Sequence, residues 1–122
     1  MQSSAPEPFR IHDRAIAPGS AEILTIPVSQ QVTGLDASLA LKVLHGAKPG
    51  PAVFVSAAIH GDEIVGTAII QRLLDHLMPG AMAGTLILAP GTCPTAAIST
   101  AASRVTRTAA SPPNWRILSL NR

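Results

Sequence analysis

The chain has 122 residues, of which 47% are hydrophobic, 2% aromatic and 13% charged, with a formal net charge of +2. That length has room for one domain and the apolar content suits a globular core, while the weak charge and the lack of any basic cluster with interleaved aromatics exclude a nucleic-acid-binding surface. Cys93 is the single cysteine, so an internal disulfide is excluded and a reducing compartment is the simple reading. No apolar run reaches the ~20 residues of a spanning helix. Pro6, Glu7 and Pro8 stand where a signal peptide needs an apolar core. A cytoplasmic protein with no membrane or nucleic-acid partner is expected.

Met1 to Pro8 is polar and Pro-containing, and residues 1–20 are expected as a loose amino-terminal segment with a turn at Pro18-Gly19. His12 and Asp13 fall there and are expected to be solvated. Glu22 to Val28 predicts a first strand, and Pro27 pushes it to a sheet edge because proline cannot donate to a central ladder. Gln31 to Ala37 is a connection around Gly34. Ser38 to Leu44 alternates weakly and predicts a second strand, closed by His45-Gly46. His45 is expected to cap a strand end rather than to bind metal. Ala47 to Pro51 is expected as a turn.

The central stretch follows. Ala52 to Ile59 is apolar and partly β-branched, and predicts a buried strand. Gly61 permits a tight turn. From Ile64 the period changes to that of a helix: Ile69, Ile70, Leu73, Leu74 and Leu77 make one face, and Gln71, Arg72 and Asp75 the other. Pro79-Gly80 stops it. His76, beside Asp75, is expected on the surface. Gly84 to Pro90 predicts a further strand. No internal repeat is visible. Three strands, a helix and a strand fit an α/β fold with a mixed sheet.

The turn between the central strand and the helix carries Ile59-His-Gly-Asp-Glu63, and so an imidazole and a carboxylate three residues apart. Both are good zinc donors, and a catalytic zinc takes three protein ligands and keeps one open position. In an α/β sheet, ligands gather at the carboxyl ends of strands, which is where this turn lies. A His and a Glu three apart are, on their own, more often a solvated loop pair. In this context the segment Glu22 to Pro90, and most specifically Ala58 to Gly66, resembles the succinylglutamate desuccinylase/aspartoacylase family of zinc-carboxypeptidase-like hydrolases.

The resemblance implies the amino-terminal part of a zinc-carboxypeptidase-like mixed-sheet fold, incomplete in this chain. It implies that His60 and Glu63 are the first two ligands of one Zn2+. In the family the third ligand is a later His, the general base a still later Glu, and an Arg and Asn in an Asp-Leu-Asn-Arg stretch hold the substrate carboxylate, a task suited to a guanidinium fork. The implied chemistry is zinc-assisted attack of water on the amide of a small N-acylated amino acid or similar amide. Residues 21–90 are thus expected as a partial zinc deacylase domain.

After Pro90 the composition changes. Residues 91–122 contain no Asp, Glu or Lys and are rich in Ala, Ser, Thr, Arg and Pro. The genetic code offers a reason. Reading the third base of each codon with the first two of the next, the residue pairs from Gly91-Thr92 to Arg104-Val105 can spell Tyr-Leu-Pro-Asp-Arg-Arg-Asp-Leu-Asn-Arg-x-Phe-Pro-Gly, which is similar to the family's substrate-binding stretch. The expectation is a deletion just after Pro90 that shifted the frame and left residues 91–122 as a disordered or non-native tail. Ser119 to Arg122 looks like the family motif but comes too late and lacks the Asp, and is read as coincidence. With no identifiable third ligand, general base or in-frame substrate-binding Arg, little or no catalysis is expected. The alternative is a non-catalytic metal- or partner-binding α/β fragment.

Overall fold

The computed structural model describes residues 6–30, 34, 36–57, 64–90 and 116–120. A short hairpin, β1 (Phe9–Ile11) and β2 (Arg14–Ile16), precedes a five-stranded sheet. The sheet comprises β3 (Ser20–Gln30), β4 (Asp36–His45), β5 (Lys48–Ala57), β6 (Ala83–Ala89) and β7 (Arg116–Leu120), with one helix, α1 (Ile64–His76), between β5 and β6. A single 3-10 turn at Pro79–Ala81 leads from α1 to β6.

The spatial order is β3-β4-β6-β5-β7. β3 with β4 and β4 with β6 are antiparallel; β5 runs parallel to both its neighbours, β6 and β7. The fold is therefore α/β with a mixed sheet, as the element order implied. β3 lies at an edge, as Pro27 required, and its ladder with β4 is interrupted between Pro27 and Ser29.

The alternation of strand side chains divides the core into two layers. On one face Leu24, Ile26, Leu39, Leu41, Val43, Phe54, Ile87 and Ala89 pack together with Ile11 and Ile16 of the hairpin. On the other, Leu44, Val55, Ala57 and Leu88 pack with Ile70 of α1. β5 and β6 are buried on both faces, which explains why Ala52 to Ala57 and Thr85 to Ala89 read as near-continuous apolar runs rather than alternating ones.

Three details differ from expectation. Residues 9–16 fall within the segment expected to be loose, yet Ile11 and Ile16 are both fully buried, and burying two isoleucines ties the hairpin to the sheet. Lys48 to Gly50, expected as part of a turn, already belongs to β5: Lys48 pairs with Ala83, and regular pairing resumes at Ala52 with Thr85. The strands meet closely there because Gly84 adopts a φ of 82° and has no Cβ to collide with the Pro51 carbonyl oxygen. Finally, the buried stripe of α1 is narrower than its apolar stripe. Ile70 is fully buried, whereas Ile69 is 48% exposed and Leu73 38%.

Within 91–122 the described residues are Arg116–Leu120, which pair as β7 with Val53–Ala57 of β5.

Candidate metal-binding turn

β5 ends at Ala57 and α1 begins at Ile64, so residues 58–63 join the carboxyl end of one to the amino end of the other. β5 has a parallel neighbour on each side, and near its end Ser56 pairs with Ala89 of β6 and Ala57 with Leu120 of β7. The connection thus leaves the sheet between two parallel strands that end at the same level, which is the crevice geometry in which α/β sheets bind ligands.

His60 and Glu63, the two expected zinc ligands, lie in this connection and outside the described residues. What the structure describes is the frame on either side. Before the turn, Val55 and Ala57 are buried against α1, while Phe54 and Ser56 are buried on the opposite face. Beyond it, Gly66 is buried in the first turn of α1, and the Thr67 hydroxyl donates a hydrogen bond of 3.0 Å to the Pro90 carbonyl oxygen at the end of β6. One turn further on, Ile70 seats the helix on the sheet. Both ends of the connection are therefore fixed to the same pair of parallel strands.

The remaining histidines are used or placed elsewhere. His45 is buried at the opposite end of the sheet: it pairs with Thr85, four residues before Ala89 and so about 13 Å away along β6. Its Nδ1 lies 2.8 Å from Thr85 Oγ1 and its Nε2 3.0 Å from the Glu7 carbonyl oxygen. The carbonyl can only accept, so Nε2 carries the proton and Nδ1 accepts from the Thr85 hydroxyl. Phe9 packs against the ring with centroids 5.8 Å apart. His45 is thus a clamp for the amino-terminal segment, in keeping with its expected place at a strand end. His76 is exposed, and its Nδ1–H donates to the Arg72 carbonyl at 2.7 Å in the last turn of α1. His12 and Asp13 are exposed at the hairpin turn. Cys93 lies outside the described residues.

Among the described residues, no group of three or more His, Cys, Asp or Glu side chains could hold a metal ion. The side-chain donors of residues 58–63 are one imidazole, His60, and two carboxylates, Asp62 and Glu63, a donor chemistry that fits part of a zinc coordination sphere. Sequence reasoning missed the Thr67 tether, whose acceptor is 23 residues away in the chain and leaves no local signal.

A family model for the succinylglutamate desuccinylase/aspartoacylase catalytic domain matches residues 49–117, from the start of β5 into β7, and includes the whole turn. The chain belongs to this family. The match extends past Pro90, where the resemblance was expected to stop, and does not include β3 or β4.

Solved structures similar to this chain include the following two. A protein from Shewanella frigidimarina assigned to the succinylglutamate desuccinylases/aspartoacylases is 27% identical with a TM-score of 0.52, over 57% of this chain and 19% of that one. An aspartoacylase family protein from Mesorhizobium loti shares the fold, with a TM-score of 0.54 at 20% identity, over 91% of this chain and 32% of that one. The chain thus spans between a fifth and a third of the length of these relatives. No curated protein matches it. Among the described residues, no helix is long and apolar enough to cross a membrane.

Proposed function

We propose that this chain carries the first half of a zinc site of the deacylase type, with His60 and Glu63 as its ligands, and that in these 122 residues it does not turn over substrate. The parent activity on this reading is zinc-dependent hydrolysis of the amide of a small N-acylated amino acid or a similar compound. The observation that carries the reading is the family match across residues 49–117, together with the fixed ends of the 58–63 connection between parallel strands.

The roles follow from chemistry. His60 supplies a neutral imidazole nitrogen and Glu63 an ionised carboxylate oxygen, both suited to a borderline-soft divalent cation. The tether from Thr67 and the buried Ile70 hold the start of α1, and so limit the freedom of a carboxylate one residue before it. Zinc, when bound, supplies a Lewis acid that polarises a carbonyl and makes water nucleophilic near neutral pH. Two donors leave a weak site, and no residue of this chain is assigned as the third ligand, the general base or the anchor for a substrate carboxylate. Metal affinity and activity are therefore separable: zinc binding is expected and hydrolysis is not.

The proposal is tested by assaying the purified chain, with zinc added, against a panel of N-acetyl and N-succinyl amino acids, alongside His60→Ala. No turnover by either protein, with zinc bound only by the parent, is the expected result. Hydrolysis that disappears in His60→Ala refutes the inactivity proposed here and leaves the ligand assignment standing. Equal zinc in both chains refutes the site.

A further inference from the structure

His60 and Glu63 depend on different elements. The imidazole comes three residues after the end of β5, and the carboxylate immediately before the start of α1. The reach between the two donors therefore depends on how the first turn of α1 sits against the ends of the strands. A metal binds tightly only to donors held in place before it arrives, because any rearrangement needed to bring them together is subtracted from the binding.

Among the described residues, that first turn has little apolar anchorage. Val65 is exposed, and Gly66, although buried, has no side chain. Burial of Ile70 fixes the middle of the helix, and Leu74 and Leu77 pack at and just beyond its far end. The beginning is tied by the Thr67 hydroxyl, one helical turn after Glu63, which donates to the Pro90 carbonyl oxygen at 3.0 Å. A threonine inside a helix ordinarily turns its hydroxyl back to a carbonyl three or four residues before it. Thr67 reaches a different element instead. Its acceptor lies at the level of the metal-binding turn: the last described pair of β5 and β6 is Ser56 with Ala89, so Pro90 stands beside Ala57, where β5 ends. A hydrogen bond is directional where apolar burial is not, so this one fixes the rotation and height of the first turn as well as its contact with the sheet.

We propose that Thr67 is a positioning residue for the zinc site: its hydroxyl, held by the Pro90 carbonyl, fixes the start of α1 and with it the reach between Glu63 and His60. The inference rests on the ligand assignment proposed above and adds to it a residue that touches no metal. Such coupling is reciprocal, so the first turn of α1 is held more firmly with zinc bound, by the same factor as the tether raises zinc affinity. One neutral hydrogen bond accounts for a change of about two- to tenfold.

Equilibrium dialysis of the full chain against buffered zinc is read for the parent, Thr67→Val, Thr67→Ser and His60→Ala, with amide hydrogen exchange of the metal-free proteins beside it. Thr67→Val keeps the shape and removes the hydroxyl. It is expected to bind zinc about two- to tenfold more weakly. It is also expected to speed exchange at Ala68 and Ile69, whose amides close the first turns of α1, more than at Leu74. Thr67→Ser keeps the hydroxyl and is expected to bind zinc within about twofold of the parent. His45→Phe, at the opposite end of the sheet, loses two hydrogen bonds and is the control for stability: it is expected to melt lower and to bind zinc like the parent. Zinc affinity unchanged in Thr67→Val but lost in His60→Ala overturns the positioning role and leaves the ligands standing. Equal losses of affinity in Thr67→Val and His45→Phe overturn it too, since a purely structural bond gives that result. So does unchanged exchange at Ala68 and Ile69 in metal-free Thr67→Val. Zinc held equally by the parent and His60→Ala overturns the ligand assignment, and this inference with it.

Discussion

Ile70→Ala is the sharpest test of how the candidate metal-binding turn is held. Ile70 is fully buried and packs with Leu44, Val55, Ala57 and Leu88, so it is the main anchor between α1 and the sheet. The substitution removes three carbons, worth about 2.4 kcal/mol at ~0.8 kcal/mol per buried methylene. The cavity left behind raises the expected loss to about 3 kcal/mol, inside the range measured for such truncations. Val65→Ala on the same helix is the control. Val65 is 68% exposed, and its truncation is expected to cost no more than about 0.5 kcal/mol. Urea unfolding followed by far-ultraviolet circular dichroism reads both. With a slope of about 1.5 kcal/mol per molar, Ile70→Ala lowers the midpoint by about 2 M and Val65→Ala leaves it nearly unchanged. Equal shifts for the two variants, or no shift for Ile70→Ala, would refute the packing of α1 on β5 described above.

Three further outcomes follow from other parts of the molecule. His45→Phe keeps a ring beside Phe9 but loses both hydrogen bonds, and is expected to cost about 1–3 kcal/mol, with faster amide exchange at Glu7 and Phe9; unchanged exchange at both would contradict the clamp. Gly84→Ala forces a φ of 82° on a residue with a Cβ and a collision with the Pro51 carbonyl oxygen, so it is expected to destabilise by more than about 1 kcal/mol in thermal unfolding. The nucleotide sequence across the codons from Pro90 to Arg122 is expected to stay open in the shifted frame and to encode a later His and Glu. An early stop in that frame sinks the frameshift.

The outline of the fold was legible because its strongest signals are local. Glu22–Val28, Ser38–Leu44 and Gly84–Pro90 each fall within, or within one residue of, an observed strand, and the change of period at Ile64 marks the first residue of α1. Pro27 announced the edge. The rest depended on distant partners. Lys48-Pro-Gly reads as a turn, but becomes strand because glycine at position 84 lets β6 approach. Apolar residues on α1 mark a face without saying how wide a strip the sheet covers, so Ile69 and Leu73 looked as buried as Ile70. The hairpin gave only two isoleucines five residues apart, and their burial comes from the sheet beneath them. Ile117-Leu118 is too short a run to separate strand from loop until β5 offers it an edge. The proposal of His60 and Glu63 rests on the sequence alone: their chemistry and their place after an apolar strand coincide within nine residues, Ala58 to Gly66, inside the stretch that the family model matches.

The central claim is that residues 58–63 hold zinc through those two side chains. Equilibrium dialysis against buffered zinc, followed by metal analysis of the parent chain and of His60→Ala/Glu63→Ala, measures it directly. One zinc per parent chain, bound weakly, and none above background in the double variant is the result this account predicts. The same zinc content in both proteins would contradict it.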